Sequence, residues 1–168
     1  FSTQFPQGAN LNYLLTAPIN SSGRVEGVEL NYQQAFTDHW GMAANVSFTD
    51  GKQTSNLPPS GDDRLVGTSK SVYNINGYYE NAHFSARVAY NYRSAFYDGL
   101  DRSTAFSLDG VGYLTASLAY IINDNFSVTL DGQNLNNPTL KYYALNTTQP
   151  RAFYTNGRQY YLNLRVKF

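Results

Sequence analysis

The last ten residues, Gln159–Phe168, read QYYLNLRVKF and alternate without a break. Tyr160, Leu162, Leu164, Val166 and Phe168 form one row; Gln159, Tyr161, Asn163, Arg165 and Lys167 form the other. Successive side chains of a β-strand point to opposite sides, so this strand has one apolar face and one polar face. The polar row carries charge, and the strand runs on to an aromatic residue. A soluble antiparallel sheet also alternates in this way, so the pattern has to be followed back along the chain.

Six further strands are expected. Arg24 to Phe36 sets Val28, Leu30, Tyr32 and Phe36 against Glu29, Asn31 and Gln33. Trp40 to Thr49 sets Trp40, Met42, Ala44, Val46 and Phe48 against Asn45, Ser47 and Thr49. Ser71 to Tyr79 carries Tyr73, Ile75, Gly77 and Tyr79 opposite Val72, Asn74, Asn76 and Tyr78. Phe84 to Arg93 alternates most cleanly, with Phe84, Ala86, Val88, Tyr90 and Tyr92 opposite Ser85, Arg87, Ala89, Asn91 and Arg93. Val111 to Ile122 and Phe126 to Gln133 complete the set. Thr37-Asp38-His39, Glu80 to His83 and Asn123-Asp124-Asn125 are short turns. Asp50 to Lys70, Ser94 to Gly110 and Leu135 to Gly157 are rich in Gly, Pro, Asn, Asp and Ser and read as long loops. Residues 1–22 lack a clear period and read as loop, with Phe1 to Phe5 as the end of an earlier strand. Propeller blades repeat at a similar interval, but they need four short strands per period, and each period here holds two long ones.

Short turns at one end and long loops at the other, joining strands of about ten residues, is the asymmetry of a transmembrane β-barrel. Ten residues at ~3.3 Å each and a ~45° tilt rise about 23 Å, close to the ~25 Å apolar band of such barrels. Mean hydropathy is −0.45 and no apolar run reaches membrane-helix length, which excludes a spanning helix and leaves a barrel open. Fifteen tyrosines and ten phenylalanines could supply the aromatic girdles of a barrel.

The alternating terminal strand with Phe168 at its end resembles the assembly signal of bacterial outer-membrane barrels, formed here by Tyr160, Leu162, Leu164, Val166 and Phe168. Further stretches resemble the TonB-dependent receptor family. These are Gly27-Val28-Glu29-Leu30, the turn Thr37-Asp38-His39-Trp40, the run Asp131-Gly132-Gln133-Asn134-Leu135-Asn136-Asn137, and the closing strand. The resemblance implies an all-β chain forming the carboxy-terminal part of a 22-stranded up-and-down barrel in a Gram-negative outer membrane. It implies, as partners, outer-membrane lipid, the remaining barrel and plug, TonB acting through the plug, and the barrel-assembly machinery. The implied function is uptake of a scarce nutrient: a ferric siderophore, cobalamin or an oligosaccharide. Two structural alternatives stand beside it: a closed eight-stranded passive barrel using a strand from Phe1 to Leu15, and a secreted glycan-binding β-sandwich whose apolar rows are covered by a second sheet.

In the barrel reading, Glu29, Asn45, Arg87, Asn91, Arg93, Asp131, Gln133, Arg165 and Lys167 face the lumen, where the cations can meet plug carboxylates. The same residues also read as plain solvated wall. Phe96, Tyr97, Phe106, Tyr142, Tyr143, Phe153 and Tyr154 lie in the expected loops and are the ligand-contact candidates, since aromatic faces stack on planar or sugar rings; loop packing is the competing role. Asp62, Asp63, Asp98, Asp101 and Asp109 match no calcium-loop spacing and read as solvated carboxylates. No cofactor or metal is expected. With no cysteine, and with His39 and His83 both in turns, there is no nucleophile or triad to suggest an enzyme. Twelve basic residues balance twelve acidic ones, and no basic patch points to nucleic acid.

Overall fold

The computed structural model describes residues 22–54, 63–101 and 104–168. Residues 1–21, including the stretches expected to be a preceding strand or an eighth strand, lie outside the described residues. Seven strands form one antiparallel sheet, the wall: β1 (Ser22–Ala35), β2 (Trp40–Thr54), β3 (Ser71–Glu80), β4 (Phe84–Arg93), β7 (Val111–Ile121), β8 (Phe126–Gln133) and β11 (Gln159–Val166). Each pairs with the next in this order. β1 and β11 are its two edges and do not pair with each other, so the described strands make an open wall.

Register keeps the two faces separate across the whole wall. One apolar row runs Ala86, Leu118, Leu130, Leu162; another runs Leu30, Val46, Tyr73, Tyr92. The opposite face carries Asn31, Asn45, Asn74 and Asn91 in one row, and Arg87, Ser117, Asp131 and Tyr161 in another. A slip of one residue between any two strands would mix the faces. The apolar face is uncovered: Val88, Leu118 and Leu162 are 50%, 43% and 75% exposed. The sandwich alternative required a second sheet over these residues, and among the described residues none is there.

Aromatic side chains edge this face at two heights. At the lower edge Trp40 lies against Tyr79, ring centres 4.8 Å apart, and Tyr79 lies 6.0 Å from Phe84. At the upper edge Tyr73 stacks on Tyr92 at 4.8 Å and lies 6.3 Å from Tyr90. Phe84 and Tyr92 are eight residues apart on β4, about 26 Å of strand or roughly 19 Å of height at ~45° tilt.

The three short turns share one device. Thr37 Oγ1 accepts hydrogen bonds from the N–H of His39 and Trp40, at 3.2 and 3.0 Å. Asn81 Oδ1 accepts from His83 and Phe84 at 2.9 and 2.8 Å, and Asn123 Oδ1 from Asn125 and Phe126 at 3.0 Å each. A short polar side chain thus takes up the N–H groups that the reversal leaves without ladder partners.

The long connections depart from the sequence-based expectation. The stretch expected as loop from Asp50 begins as strand, since β2 continues to Thr54. The other two hold hairpins: β5 (Phe96–Asp101) with β6 (Thr104–Leu108), and β9 (Leu140–Ala144) with β10 (Pro150–Tyr154). β6 pairs with β9, giving a second sheet in the order β5-β6-β9-β10. That is the order of the wall strands β4-β7-β8-β11 from which these hairpins rise. Residues 63–70, which lead into β3, bridge β2 and β5 in the same way, through Lys52 with Arg64 and Ser69 with Phe96. The upper layer is therefore a collar that repeats the wall's neighbour order.

Candidate functional site

The wall strands break into collar strands at one level. There the run Asn134-Leu135-Asn136-Asn137 supplies the ties. Asn134 and Asn137 adopt positive φ, 56° and 45°, a region where asparagine is tolerated better than most residues. Asn136 Nδ2 donates to the Gly112 carbonyl at 2.8 Å while its Oδ1 accepts from the Leu114 N–H at 2.9 Å. Asn137 Oδ1 accepts from the Gly157 N–H at 3.0 Å, and Arg158 Nε donates to the Leu135 carbonyl at 2.7 Å. One four-residue stretch thereby joins the upper ends of β7, β8 and β11.

Two arginines close the other side. Arg93, at the top of β4, lays its guanidinium over Phe96, 3.8 Å from the ring centre. It also donates to Ser69 Oγ at 2.6 Å and to the Gly67 carbonyl. Arg64 lies over Tyr97 at 5.4 Å and reaches Ser107 Oγ at 3.5 Å. The Gly67 N–H donates to the Tyr97 carbonyl at 2.8 Å. Phe96 and Tyr97 point to opposite faces, and each is gripped by an arginine. Arg93, expected on the lumen face, engages the wall's own rim, where its guanidinium finds ring, hydroxyl and carbonyl within reach.

The aromatic candidates divide by face. Partners in register share a face, so Phe96, Leu108 and Tyr142 stand together, as do Phe106 and Ala144. The Arg93–Phe96–Ser69 cluster ties this face to the polar side of the wall. Phe106 stacks on Tyr142, centres 5.1 Å apart and planes 15° from parallel, and Tyr154 meets Tyr142 edge-on at 5.7 Å. Tyr97, Tyr143 and Phe153 lie on the other face. Tyr97, one of the residues expected to meet a ligand, is only 3% exposed beneath Arg64 and packs within the collar. Sequence reasoning missed the burying partner, 33 positions away on a stretch expected to be loop.

The remaining polar candidates lie on the polar wall face. Glu29 accepts from Ser47 Oγ at 3.0 Å, and Asn45 donates to Asn31 at 2.5 Å. Asn91 accepts from Asn74 Nδ2. Asp131 accepts from Ser117 at 2.6 Å and from Asn163 at 3.0 Å. Arg87, Asp131 and Gln133 border one shallow depression. Arg165 and Lys167 border another, of about 210 Å³, at the turn carrying Asn123 and Asp124. Tyr160, Leu162, Leu164 and Val166 are on the apolar face of β11, and Phe168 beyond it is fully exposed. Asn125 Nδ2 donates to the Lys167 carbonyl at 2.7 Å, and the Lys167 N–H to the Asn125 carbonyl at 2.8 Å. Asp62 lies outside the described residues.

The family model described as TonB dependent receptor-like, beta-barrel matches residues 1–135. No curated protein matches the sequence. Among solved structures, the ferric-catecholate import receptor Fiu from E. coli K12, in its closed form, is similar at TM-score 0.67 and 20% identity, covering 88% of this chain and 21% of that one. The siderophore receptor PiuA from Acinetobacter baumannii gives TM-score 0.66 at 20% identity, covering 88% and 22%. The chain thus spans about a fifth of the length of these receptors and shares their fold.

Proposed function

The chain belongs to the TonB-dependent receptor β-barrel family, and from that premise we propose that it forms wall and extracellular collar of a nutrient transporter in the outer membrane of a Gram-negative bacterium. One observation carries the reading. Seven strands in unbroken register keep an apolar face that is uncovered and edged above and below by aromatic rows. That face meets hydrocarbon, and the aromatic rows sit at the two interfaces. An unpaired strand edge is costly in lipid, so β1 and β11 pair with the rest of the same barrel.

On the opposite face, Glu29, Asn45, Arg87, Asn91, Asp131, Gln133, Arg165 and Lys167 look into the lumen and towards a plug through which TonB delivers energy. The assembly machinery reads the row Tyr160, Leu162, Leu164, Val166 and Phe168. Ligand meets the collar on the face shared by Phe96, Phe106, Tyr142 and Tyr154, where stacking of planar rings is favourable by about 0.5–1.5 kcal/mol per pair. Fiu is named for a ferric catecholate and PiuA for a siderophore. A ferric siderophore with aromatic chelating groups fits those rings first; cobalamin and oligosaccharide are the competing substrates.

The test uses the full-length receptor. Cells expressing it accumulate iron from a ferric catecholate chelate, and accumulation stops when TonB is removed. Uptake that continues unchanged without TonB contradicts the transporter reading. Uptake of cobalamin or an oligosaccharide in place of the chelate overturns only the ligand assignment.

A further inference from the structure

The polar face of the wall has two unlike halves. On β1 to β4, Asn31, Asn45, Asn74 and Asn91 stand in one cross-strand row, and Gln33, Ala43, Asn76 and Ala89 form the row below it. Between the row of Glu29 and Arg93 above and that of Arg87 below, these four strands put no charge on this face. Asp131, Arg165 and Lys167 belong to the other half, on β8 and on β11 and its continuation.

The amides are partly satisfied by one another. Asn45 donates to Asn31 and Asn74 to Asn91, each from Nδ2 to Oδ1, and Asn76 Nδ2 donates to Asn74 Oδ1 at 3.4 Å. A side-chain amide carries two N–H donors and an oxygen with two lone pairs. These bonds use one or two of those sites at each residue, so all five asparagines keep spare capacity on the lumen face. Ala43 is small, and a shallow recess of about 270 Å³ opens beside it along Asn31, Gln33, Asn45, Asn74 and Asn76. The patch is continuous with the collar. Asn91 stands two residues below Arg93 on β4, and the Arg93 guanidinium lies under the Phe96 ring of the collar's ligand face. A solute leaving that face for the lumen meets the amide row next.

We propose that this amide patch is a second, weaker contact site for the transported solute, one with a surface rich in oxygen acceptors, as it passes between plug and wall. The inference rests on the transporter reading above and names a step within it. Amide N–H groups hold carbonyl and phenolate oxygens through hydrogen bonds from a neutral donor. A row of cations would hold an anionic chelate more tightly, because charge-assisted bonds are about twice as strong. Passage needs contacts favourable enough to admit the solute and weak enough to release it. Bonds shared among several amides meet both conditions.

The test separates binding from passage in cells carrying the full-length receptor, with a radiolabelled ferric catecholate chelate as probe. N45L/N74L keeps side-chain size and removes both amides. It is expected to bind the chelate at the cell surface as tightly as the unaltered receptor and to import it about tenfold more slowly. N45Q/N74Q, which keeps the amides, is expected to retain most of the rate. Heat-modifiable migration on gels checks that each variant is a folded barrel. Import by N45L/N74L at the unaltered rate overturns the site. Entry of a bulky antibiotic into N45L/N74L cells lacking TonB also overturns it, since the amides would then be a seat for the plug. Import by the unaltered receptor that ignores TonB overturns the transporter reading and the patch with it. The patch alone fails where import needs TonB and N45L/N74L does not slow it.

Discussion

In the wall, Leu118, Leu130 and Leu162 follow one another in register, and all three are open on their outer side. In the collar, Tyr97, Ala105, Leu108 and Ala144 are almost closed to the surroundings, and Ser107 with them. Four wall strands lead into the four collar strands, yet the packed side chains lie in the collar and at its junction with the wall. A collar standing in water has to bury its apolar side chains against each other. A wall set in hydrocarbon has no such need, and its face is held by backbone ladders and register. Neighbour order passes from one layer to the other; the source of stability does not.

The difference breaks most visibly under a charge. Val88→Arg places a cation midway between Phe84 and Tyr92 on the apolar face and should destabilise the full-length barrel in lipid vesicles by about 2–4 kcal/mol. Phe153→Arg, on an exposed apolar side chain of the collar, should stay within about 0.5 kcal/mol. Folding titrations of both variants in the same vesicles measure the contrast; similar costs would erase it.

Cavity formation should reverse the ranking. Leu108→Ala in the collar interior should cost about 2–3 kcal/mol locally, seen as faster hydrogen exchange in β5, β6, β9 and β10 with the wall unchanged. Leu162→Ala should move exchange little in either layer. Acceleration confined to the mutated hairpin would mean that β6 and β9 do not act as one sheet.

The ties between the layers come next. Asn136→Ala removes the bonds to Gly112 and Leu114 and should cost about 1–2 kcal/mol, with exchange rising at the tops of β7 and β8. Arg93→Ala should loosen residues 63–70 by about 1 kcal/mol, and Arg93→Lys should restore only part of this, because a lysine cannot hold ring and two acceptors together. Full rescue by lysine would reduce the clamp to simple charge.

The wall was legible in the sequence because the middle of each strand keeps period-two alternation, with turn residues such as Asn81 and Asn123 between strands. The collar was not. Its strands are five or six residues long, interrupted by irregularities between Tyr97 and Gly99 and between Pro150 and Ala152. Partial burial on both faces removes the alternation that marks a strand. The burial of Tyr97 beneath Arg64 depends on cross-strand register, which no local pattern carries. The family resemblance, by contrast, rested on wall and junction residues and was visible from them.

The central claim is that alternate side chains of the wall meet hydrocarbon. A spin-label scan along β4 of the full-length receptor in bilayers tests it most directly, comparing collisions with oxygen and with a water-soluble nickel chelate. Labels at Ala86, Val88 and Tyr90 are predicted to favour oxygen, and labels at Arg87, Ala89 and Asn91 to favour nickel, with a period of two. A flat profile, or one in which Ala86, Val88 and Tyr90 are shielded from both reagents, would contradict the account.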